Sequence, residues 1–342
     1  MMRLGQLAAA CLLVLCTEQA EAGPDYKAIR FDQLLGWQFD NHDEALEAFR
    51  KSCMDIRAGE WAPLCALAET HPPARAFFET FFTPVIVKPE ARALFTGYFE
   101  PILNGSLYKV GPYQYPIYSK PDNLVAGDPD LTRAAIDNGA LVHKGLEIAY
   151  VDDPVEAYYL HIQGSGRIRL TNGNTIRVGY AGENGHVYRS AAGELVRQGE
   201  IDYADASIEG LKAWVKANPE KGMKALEFNQ SYVFFERFEI QDENSGPKGA
   251  LARPITALRS VAVDPKFVQL GAPVWIEKGG QNAFRRLMVA QDVGSAIKGP
   301  QRADIFFGTG DAAGTAAGNT KNSGRMVVLM PIAIANRLDP EG

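Results

Sequence analysis

The spacing of apolar residues in the first third of the chain predicts two helices. Over residues 39–56, apolar side chains recur every three or four positions, which places them on one helical face. Asn41, followed three residues later by Glu44, is typical of a helix N-terminus. The stretch PPARAFFETFF, residues 72–82, predicts a second helix that begins at its prolines. Both apolar faces need a partner, so we expect these helices to cover a later β core.

After these helices the pattern favours strands. Residues 94–106 combine β-forming side chains with turn signals, and AYYLHIQGSGRIRL, residues 157–170, predicts a hairpin with its turn at the glycines. Residues 174–196 predict a strand, a glycine loop and a helix capped near Ser190. A further short helix is predicted over residues 206–219.

The last hundred residues have a different composition. Five short β-rich runs are separated by Gly, Pro, Lys and Asn, which favours a small closed or sandwiched all-β unit. The composition changes near residue 240, where QDENSGPKG, residues 241–249, reads as a linker, and a weaker boundary falls near residue 105. The chain of 342 residues is long enough for two domains.

The first 22 residues have the features of a signal peptide. Arg3 precedes a short apolar core at residues 7–16, and a small-x-small pattern ends at Ala22, where we expect cleavage. The apolar core is too short to span a bilayer. Cys16 offers an alternative as a lipid-anchor site, although the bulky Leu15 before it is a poor match to the small residue that such sites need.

Export leaves two cysteines in the mature chain, Cys53 and Cys65. Twelve residues apart and in an oxidising compartment, they are expected to form one disulfide. Without nearby histidines, two cysteines would make a poor metal site.

Several kinds of chemistry are excluded by what the sequence lacks. The formal net charge is −6 and no Lys/Arg stripe is present, which argues against a nucleic-acid partner. No histidine follows His186, so the C-terminal β unit has no Ser-His or Cys-His pair of its own. H-E-x-x-H, C-x-x-C and the phosphate-binding G-x-x-x-x-G-K-[ST] motif are all missing, and we expect no metal and no cofactor.

Carboxylate chemistry remains, and three aspartates stand at the ends or middles of predicted strands: Asp264, Asp292 and Asp304. Apolar neighbours surround Asp304 in the sequence, and burial raises a carboxyl pKa, so Asp304 ranks first as a proton donor. Asp292 is followed by flexible glycine and by Lys298, so we expect it to be ionised or bonded to backbone amides. The alternative is that all three are turn or barrel braces.

Together these residues resemble the three-aspartate domain of the MltA family of lytic transglycosylases. The set Asp264, Asp292 and Asp304 occurs with DVGSAIKG and ADIFFGTG. Upstream, further blocks resemble the family in the same order: LFTGYFEPIL, YYLHIQGSGRIRL, VGYAGENGHVYRS and NQSYVFFE. The resemblance covers roughly residues 90 to 332.

The resemblance implies a mainly β architecture with flanking α-helices and two domains. A double-psi β-barrel would be built from residues 23–104, including the N-terminal helices, and from residues 241–342. A smaller β domain, residues 105–240, would be inserted between these parts, with a glycan groove between the domains.

It also implies cleavage of the β-1,4 bond between N-acetylmuramic acid and N-acetylglucosamine in peptidoglycan, with a 1,6-anhydro ring as product. Asp304 matches the family's catalytic aspartate, and Asp292 matches a second aspartate with an orienting or electrostatic role. Loop and aromatic residues are the expected sugar contacts: Thr96, Gly97, Tyr98, Gln163, Gly164, Ser165, Tyr180, Asn184, Tyr188 and Lys298. For each the alternative is a turn or core role, and a solvated side chain is favoured for Lys298.

Two other functions remain open at this point. One is a hydrolase that uses Asp304 and Asp292 as an acid and base pair. The other is a non-catalytic wall-binding module of the expansin-like kind. We expect a periplasmic monomer whose partner is the peptidoglycan glycan strand; family members are often lipoproteins, which implies association with the outer membrane.

Overall fold

A computed structural model describes residues 26–56, 58–240 and 242–340 of the chain. The predicted signal peptide, including Cys16, lies outside the described residues.

The described residues form fifteen strands and ten α-helices. The strands are β1 (Tyr26–Ala28), β2 (Phe82–Val87), β3 (Leu94–Glu100), β4 (Ile102–Ser106), β5 (Tyr115–Tyr118), β6 (Glu147–Val151), β7 (Ser165–Leu170), β8 (Thr175–Glu183), β9 (Val233–Phe238), β10 (Ser260–Val263), β11 (Pro273–Lys278), β12 (Phe284–Asp292), β13 (Arg302–Thr309), β14 (Lys321–Asn322) and β15 (Gly324–Pro331). The helices are α1 (His42–Cys53), α2 (Trp61–Ala68), α3 (Ala74–Phe81), α4 (Arg133–Asp137), α5 (Pro154–Gln163), α6 (Ala191–Gln198), α7 (Ile208–Ala217), α8 (Pro219–Glu227), α9 (Asp311–Gly318) and α10 (Ile332–Leu338).

The strands form two sheets with separate cores. The first sheet has nine strands in the order β1-β2-β15-β11-β12-β10-β13-β3-β14, and the second has six in the order β5-β6-β4-β7-β8-β9. Most pairs in the first sheet are antiparallel, but β10 pairs with β12 and β13 pairs with β3 in parallel. The predicted mainly β fold with flanking helices is confirmed, whereas closure into a double-psi barrel stays a prediction.

The N-terminal helices cover the first sheet, as their apolar faces require. Asn41 caps α1 by accepting a hydrogen bond from the Glu44 amide, which confirms the predicted start of this helix. Helix α3 also falls where it was predicted, whereas α2 was missed. The Sγ atoms of Cys53 in α1 and Cys65 in α2 form a disulfide, which fixes the two helices to each other.

The chain passes from the first sheet to the second between β3 and β4, at Pro101. Strand β4 therefore lies in the second sheet, although its first residues precede the boundary that the sequence suggested near residue 105. After β9 the chain returns, and residues 242–259 contain neither helix nor strand before β10 begins. The second sheet and its helices thus form an insertion into the first.

A buried ion cluster joins the two sheets. Glu100, at the end of β3, is fully buried and accepts hydrogen bonds from Arg167 of β7 at 2.9 Å and Arg177 of β8 at 2.6 Å. Thr309 of β13 donates a third, at 2.7 Å. Both guanidinium groups also donate to the carbonyl oxygen of Ser245. One carboxylate therefore binds both domains and the segment that connects them.

The predicted hairpin over residues 157–170 is wrong. Residues up to Gln163 form helix α5, and only the part after Gly164 is a strand, β7. Asp153 caps the helix through the amides of Val155 and Glu156, and Gly164 ends it with a left-handed φ of 74°. These capping groups outweigh the β propensity of the tyrosines and isoleucine between them. The predicted helices near Ser190 and over 206–219 are confirmed as α6 and α7.

Candidate active site

Asp292 and Asp304 lie on the two strands that flank β10, and both are opposite the same residue of β10. Ala262 of β10 is in register with Asp292 of the parallel strand β12 and with Asp304 of the antiparallel strand β13. Residues opposite one another in a sheet project from the same face. The small side chain of Ala262 thus separates two carboxylates that point to one side of the first sheet.

An irregularity in β12 creates this register. Val261 pairs with Ala290, but the next residue, Ala262, pairs with Asp292, so Gln291 is an extra residue on that strand. The Gln291 side chain is buried, accepts a hydrogen bond from Ser260, and donates to the Ala48 carbonyl and the Ser52 hydroxyl at 2.9 Å each. Helix α1 therefore fixes the bulge that brings Asp292 into line with Asp304.

Asp304 is held through one of its two carboxyl oxygens. The Thr96 hydroxyl, from the parallel neighbour β3, donates to Oδ1 of Asp304 and accepts from Nη2 of Arg302 at 2.8 Å. Oδ2 of Asp304 has no hydrogen-bond donor in the described part of the chain. The side chain itself remains partly exposed. One oxygen is therefore fixed by the protein, and the other is free to meet a ligand.

Asp292 is held through both of its oxygens. Oδ2 accepts from the Tyr98 hydroxyl at 2.8 Å, and Oδ1 accepts from the backbone amides of Val293 at 2.9 Å and Ala250 at 3.1 Å. Burial and the two aspartates raise the pKa of Tyr98 well above its ordinary value, so this hydroxyl keeps its proton and is the donor. The bonds to backbone amides agree with the expectation for Asp292.

An apolar cluster desolvates both acids. Tyr98, Ala262, Phe306, Ile255 and Ile297 are buried together on this face. The sequence analysis attributed the burial of Asp304 to its apolar neighbours in the chain. Ala303 and Ile305, however, project from the opposite face of the strand and pack in the main core. Among the apolar neighbours of Asp304 in the chain, Phe306 is the one that helps to bury it. The other apolar residues around it come from other segments.

Burial raises the pKa of both carboxyl groups. Asp292 reaches about 6, with burial opposed by its three hydrogen bonds and reinforced by the charge of Asp304. The pKa of Asp304 is also raised by burial, against the Thr96 hydrogen bond and the charge of Arg302. Both shifts favour the protonated form of the carboxyl group.

The third aspartate is a brace. Asp264 follows β10 directly, is buried, and accepts from the amides of Lys266 at 3.1 Å and Gly299 at 2.8 Å. These bonds tie the loop between β12 and β13 to the end of β10. Lys298 in the same loop is exposed and has no hydrogen-bond or salt-bridge partner among the described residues, in agreement with a solvated side chain.

Four further expected sugar contacts have structural roles, Gly97 inside the first unit and Gln163, Gly164 and Ser165 where the two sheets meet. A Cβ at Gly97 would lie 2.7 Å from the Ala317 Cα atom, so glycine is needed there for α9 to pack on β3. The Gln163 side chain accepts a hydrogen bond from the Phe99 amide at 2.9 Å, which joins the end of α5 to β3. Gly164 ends that helix, and Ser165 is buried where β7 begins.

Of the last three expected contacts, two remain accessible on the insertion. Tyr180 is 54% exposed and Tyr188 is 39% exposed. The expectation for Asn184 is wrong: its side chain is fully buried, donates to two backbone carbonyls, and accepts from the amides of His186 and Tyr232. With these backbone partners and no exposed surface, Asn184 braces its loop and cannot contact a sugar.

Sequence reasoning missed the groups that position the aspartates. Arg302 stands two residues before Asp304, and this alternation places both on one face of β13, a signal that the sequence did contain. Gln291 and the Ala250 amide gave no such signal, because their partners come from distant segments. The site is thus a cluster of Thr96, Tyr98, Asp292, Arg302 and Asp304.

No group of three or more His, Cys, Asp or Glu side chains within the described ranges is arranged to hold a metal ion. Within the same ranges, no helix combines the length and apolar character needed to cross a membrane.

Two family models match the chain where these two structural units lie. The MltA specific insert domain matches residues 94–236, and the 3D domain matches residues 259–330. Asp264, Asp292 and Asp304 all fall in the second match, whereas Thr96 and Tyr98 fall in the first.

A known protein matches about two thirds of the chain. Membrane-bound lytic murein transglycosylase A of Escherichia coli K12 is 36% identical over 231 residues, which cover 64% of this chain and 60% of that protein. The chain thus aligns with less than two thirds of the length of this curated relative.

Solved structures match over a larger share. The membrane-bound lytic murein transglycosylase from Agrobacterium tumefaciens is 30% identical with a TM-score of 0.82, covering 92% of this chain and 99% of that one. Escherichia coli MltA with bound chitohexaose is 27% identical with a TM-score of 0.72, covering 90% and 94%. From the two family models and these full-length structural matches, we conclude that the chain belongs to the MltA family of lytic transglycosylases.

Proposed function

We propose that this protein is a lytic transglycosylase that cleaves the β-1,4 bond between N-acetylmuramic acid and N-acetylglucosamine in peptidoglycan. Its relatives are named lytic murein transglycosylases, and one of their structures holds chitohexaose. In our proposal a single aspartate, Asp304, supplies both the acid and the base of the reaction.

The asymmetry of Asp304 carries this proposal. Its Oδ1 accepts the hydroxyl proton of Thr96. A proton on the carboxyl group would therefore reside on Oδ2, the oxygen with no donor in the described residues. A general acid needs a proton that a substrate oxygen can reach and a pKa raised towards the working pH. Asp304 meets both requirements.

The reaction then balances without water. Asp304 delivers its Oδ2 proton to the leaving glycosidic oxygen as the bond from that oxygen to C1 of the muramic residue breaks. The C6 hydroxyl of the same residue attacks C1, and the Asp304 carboxylate takes its proton. A 1,6-anhydro ring forms, and Asp304 ends protonated, ready for the next cleavage.

Burial raises the pKa of Asp292 to about 6, which by itself would favour Asp292 as the acid. The hydrogen bonds support the opposite assignment, because both oxygens of Asp292 are occupied by Tyr98 and two amides. An oxygen with fixed donors is poorly placed to give a proton to a substrate or to activate water. We assign Asp292 to orientation and electrostatic support, which disfavours the two-carboxylate hydrolase.

Glycan binding is assigned to the region where the two domains meet. Gln163 and Tyr98 lie on the two sides of this junction, since Gln163 bonds to the backbone of β3 beside Tyr98. The exposed Tyr180 and Tyr188 are available to stack on sugar rings. Asn184 is not part of the proposed binding surface.

We place the enzyme in the periplasm, where peptidoglycan is accessible to an exported protein. The predicted signal peptide and the membrane-bound relatives support an envelope location. Cleavage after Ala22 would give a released protein, whereas lipidation of Cys16 would give a protein anchored to a membrane.

Digestion of peptidoglycan in H₂¹⁸O tests the reaction class. A transglycosylase forms anhydro ends that contain no solvent oxygen, whereas a hydrolase introduces ¹⁸O at each new reducing end. We expect anhydro products without the label. Labelled reducing ends would favour the hydrolase, and binding to sacculi without any soluble product would favour the wall-binding module.

A further inference from the structure

A cavity of about 790 Å³ lies within the inserted domain, apart from the aspartate cluster. All of its lining residues fall between Lys109 and Tyr232, so none comes from the first sheet. Its volume is in the range of sites that hold small ligands. The cavity is therefore a second candidate site, carried by the insertion alone.

One wall of the cavity is a face of helix α5. Pro154, Ala157, Tyr158 and His161 line it at the three- and four-residue spacing of a helical face. Tyrosines form much of the remaining lining: Tyr115, Tyr118, Tyr150 and Tyr232. None of these four hydroxyls has a hydrogen-bond partner among the described residues. Aromatic faces and free hydroxyls thus surround the space.

A buried cation lies against these rings. The Arg133 guanidinium is about 5.0 Å from the ring centres of both Tyr158 and Tyr232. It donates to the carbonyl oxygens of Asn229 at 3.0 Å and Ser231 at 2.7 Å. No carboxylate among the described residues is bonded to it. Its charge acts on Asp137 of the same cavity, whose pKa it lowers, and its own hydrogen bonds go to neutral groups.

His161 adds a donor that the protein leaves unused. Nη1 of Arg133 can only donate, so Nδ1 of His161, 2.9 Å away, is the acceptor. Burial and the charge of Arg133 keep the pKa of His161 well below its ordinary value, so the ring is neutral and its proton is on Nε2. Nε2 is buried without a partner in the described part of the chain. Such an orphan donor is costly and indicates a missing acceptor.

Two carboxylates line the same cavity with no protein partner. Asp137, at the end of α4, and Glu147, at the start of β6, form no salt bridge or hydrogen bond with the described residues. Glu147 is partly exposed, and part of Asp137 reaches solvent although burial of its carboxyl group raises its pKa to about 6, against the charge of Arg133. The cavity thus combines a buried cation and a buried N–H donor with accessible carboxylates and aromatic rings, an arrangement suited to an ammonium group.

We infer that this cavity binds a peptide that carries a free carboxylate and a free ammonium group a few bonds apart. The carboxylate would meet His161 Nε2 near Arg133, and the ammonium would meet Glu147, Asp137 and the tyrosine rings. The diamino-acid residue of peptidoglycan stem peptides has this chemistry. The choice of a peptidoglycan stem peptide as the ligand rests on the proposed function. The charge pattern of the cavity does not depend on it.

Calorimetric titration with the tripeptide alanyl-γ-glutamyl-diaminopimelate tests the inference. We expect the native protein to bind the tripeptide, and acetylation of the peptide's amines to weaken binding about tenfold or more, as loss of one charge-assisted contact would. Glu147→Gln and, separately, Asp137→Asn should each weaken tripeptide binding about tenfold. Glu236→Gln, a matched change at an exposed acid of the insertion outside the cavity, should leave it unchanged.

Three results would overturn the inference. The first is that the tripeptide does not bind, and the second is that its acetylated form binds equally well. The third is that chitohexaose binds in this cavity and that Glu147→Gln does not alter its binding. The titration is repeated with Asp304→Asn, which is inactive under the proposed function but should bind the tripeptide normally. Failure of glycan cleavage and failure of peptide binding are thereby measured separately.

Discussion

The Thr96 hydroxyl accepts a hydrogen bond from Arg302 and donates its only proton to Asp304. The polarity is fixed, because a guanidinium group can donate but cannot accept. Oδ1 of Asp304 is thereby reserved as an acceptor, and any proton on this carboxyl group lies on the other oxygen. Under the proposed function, Thr96 thus determines which oxygen of Asp304 acts as the acid.

Thr96→Val removes this hydroxyl while keeping the side-chain shape. We expect kcat to fall roughly tenfold to a hundredfold, the size of a lost charge-assisted hydrogen bond, with KM little changed. The hydrogen bond from Thr96 lowers the pKa of Asp304, so its loss raises that pKa. Because the acid must be protonated, the alkaline limb of the kcat–pH profile should move to higher pH.

Thr96→Ser is the matched control, since it restores the hydroxyl and should restore both the rate and the pH profile. A Thr96→Val enzyme with reduced activity but an unmoved alkaline limb would show that Thr96 acts through packing alone.

Asp292→Asn should stabilise the protein at neutral pH. The pKa of Asp292 is raised from 3.8 to about 6 in the folded protein, so the folded state binds this proton more tightly than the unfolded state. The resulting cost to stability grows as pH rises from about 4 to about 6 and is complete above that. We expect a gain of roughly 1–3 kcal/mol at pH 7, vanishing near pH 4.

Urea unfolding of both proteins across this pH range measures the effect. A variant less stable than the native protein at pH 7 would mean that the hydrogen bonds to the ionised carboxylate outweigh the cost of burying it. That result would mean that the folded protein is more stable with Asp292 ionised than with a neutral side chain at this position.

Glu100→Gln should destabilise the junction of the two domains. It removes the charge that two buried guanidinium groups share, those of Arg167 and Arg177. Breaking a buried ion pair on one side costs roughly 3–5 kcal/mol, which urea unfolding would detect. Glu194→Gln, which breaks an ion pair with the exposed Arg197, is the control and should change little. Equal effects of the two changes would refute a special role for Glu100.

Local signals in the sequence predicted the elements whose ends are capped by their own residues. Asn41 and Ser190 start helices where expected because a side chain meets an amide three residues later. The same logic explains the error over residues 157–170, where Asp153 and Gly164 cap a helix that contains several good β-formers. These caps were present in the sequence and outweighed the propensity of the residues between them.

The aspartates could be found from the sequence, but their environment could not. Burial of Asp304 depends on Tyr98 and Ala262, which lie on other strands, and the alignment of Asp292 depends on a bulge fixed by helix α1. Asn184 shows the converse error: a polar residue in a glycine loop was expected to bind sugar, but its side chain is bonded to backbone groups, most of them distant in the sequence. Such long-range pairings have no periodic signature.

Mass spectrometry of the products released from purified sacculi tests the central claim most directly, comparing the native protein with Asp304→Asn and Asp292→Asn. We predict anhydro-muropeptides from the native protein, a loss of roughly 10²–10⁴-fold with Asp304→Asn, and a smaller loss with Asp292→Asn. Reducing muropeptides from the native protein, or an Asp304→Asn variant that still releases anhydro products at the native rate, would contradict the account.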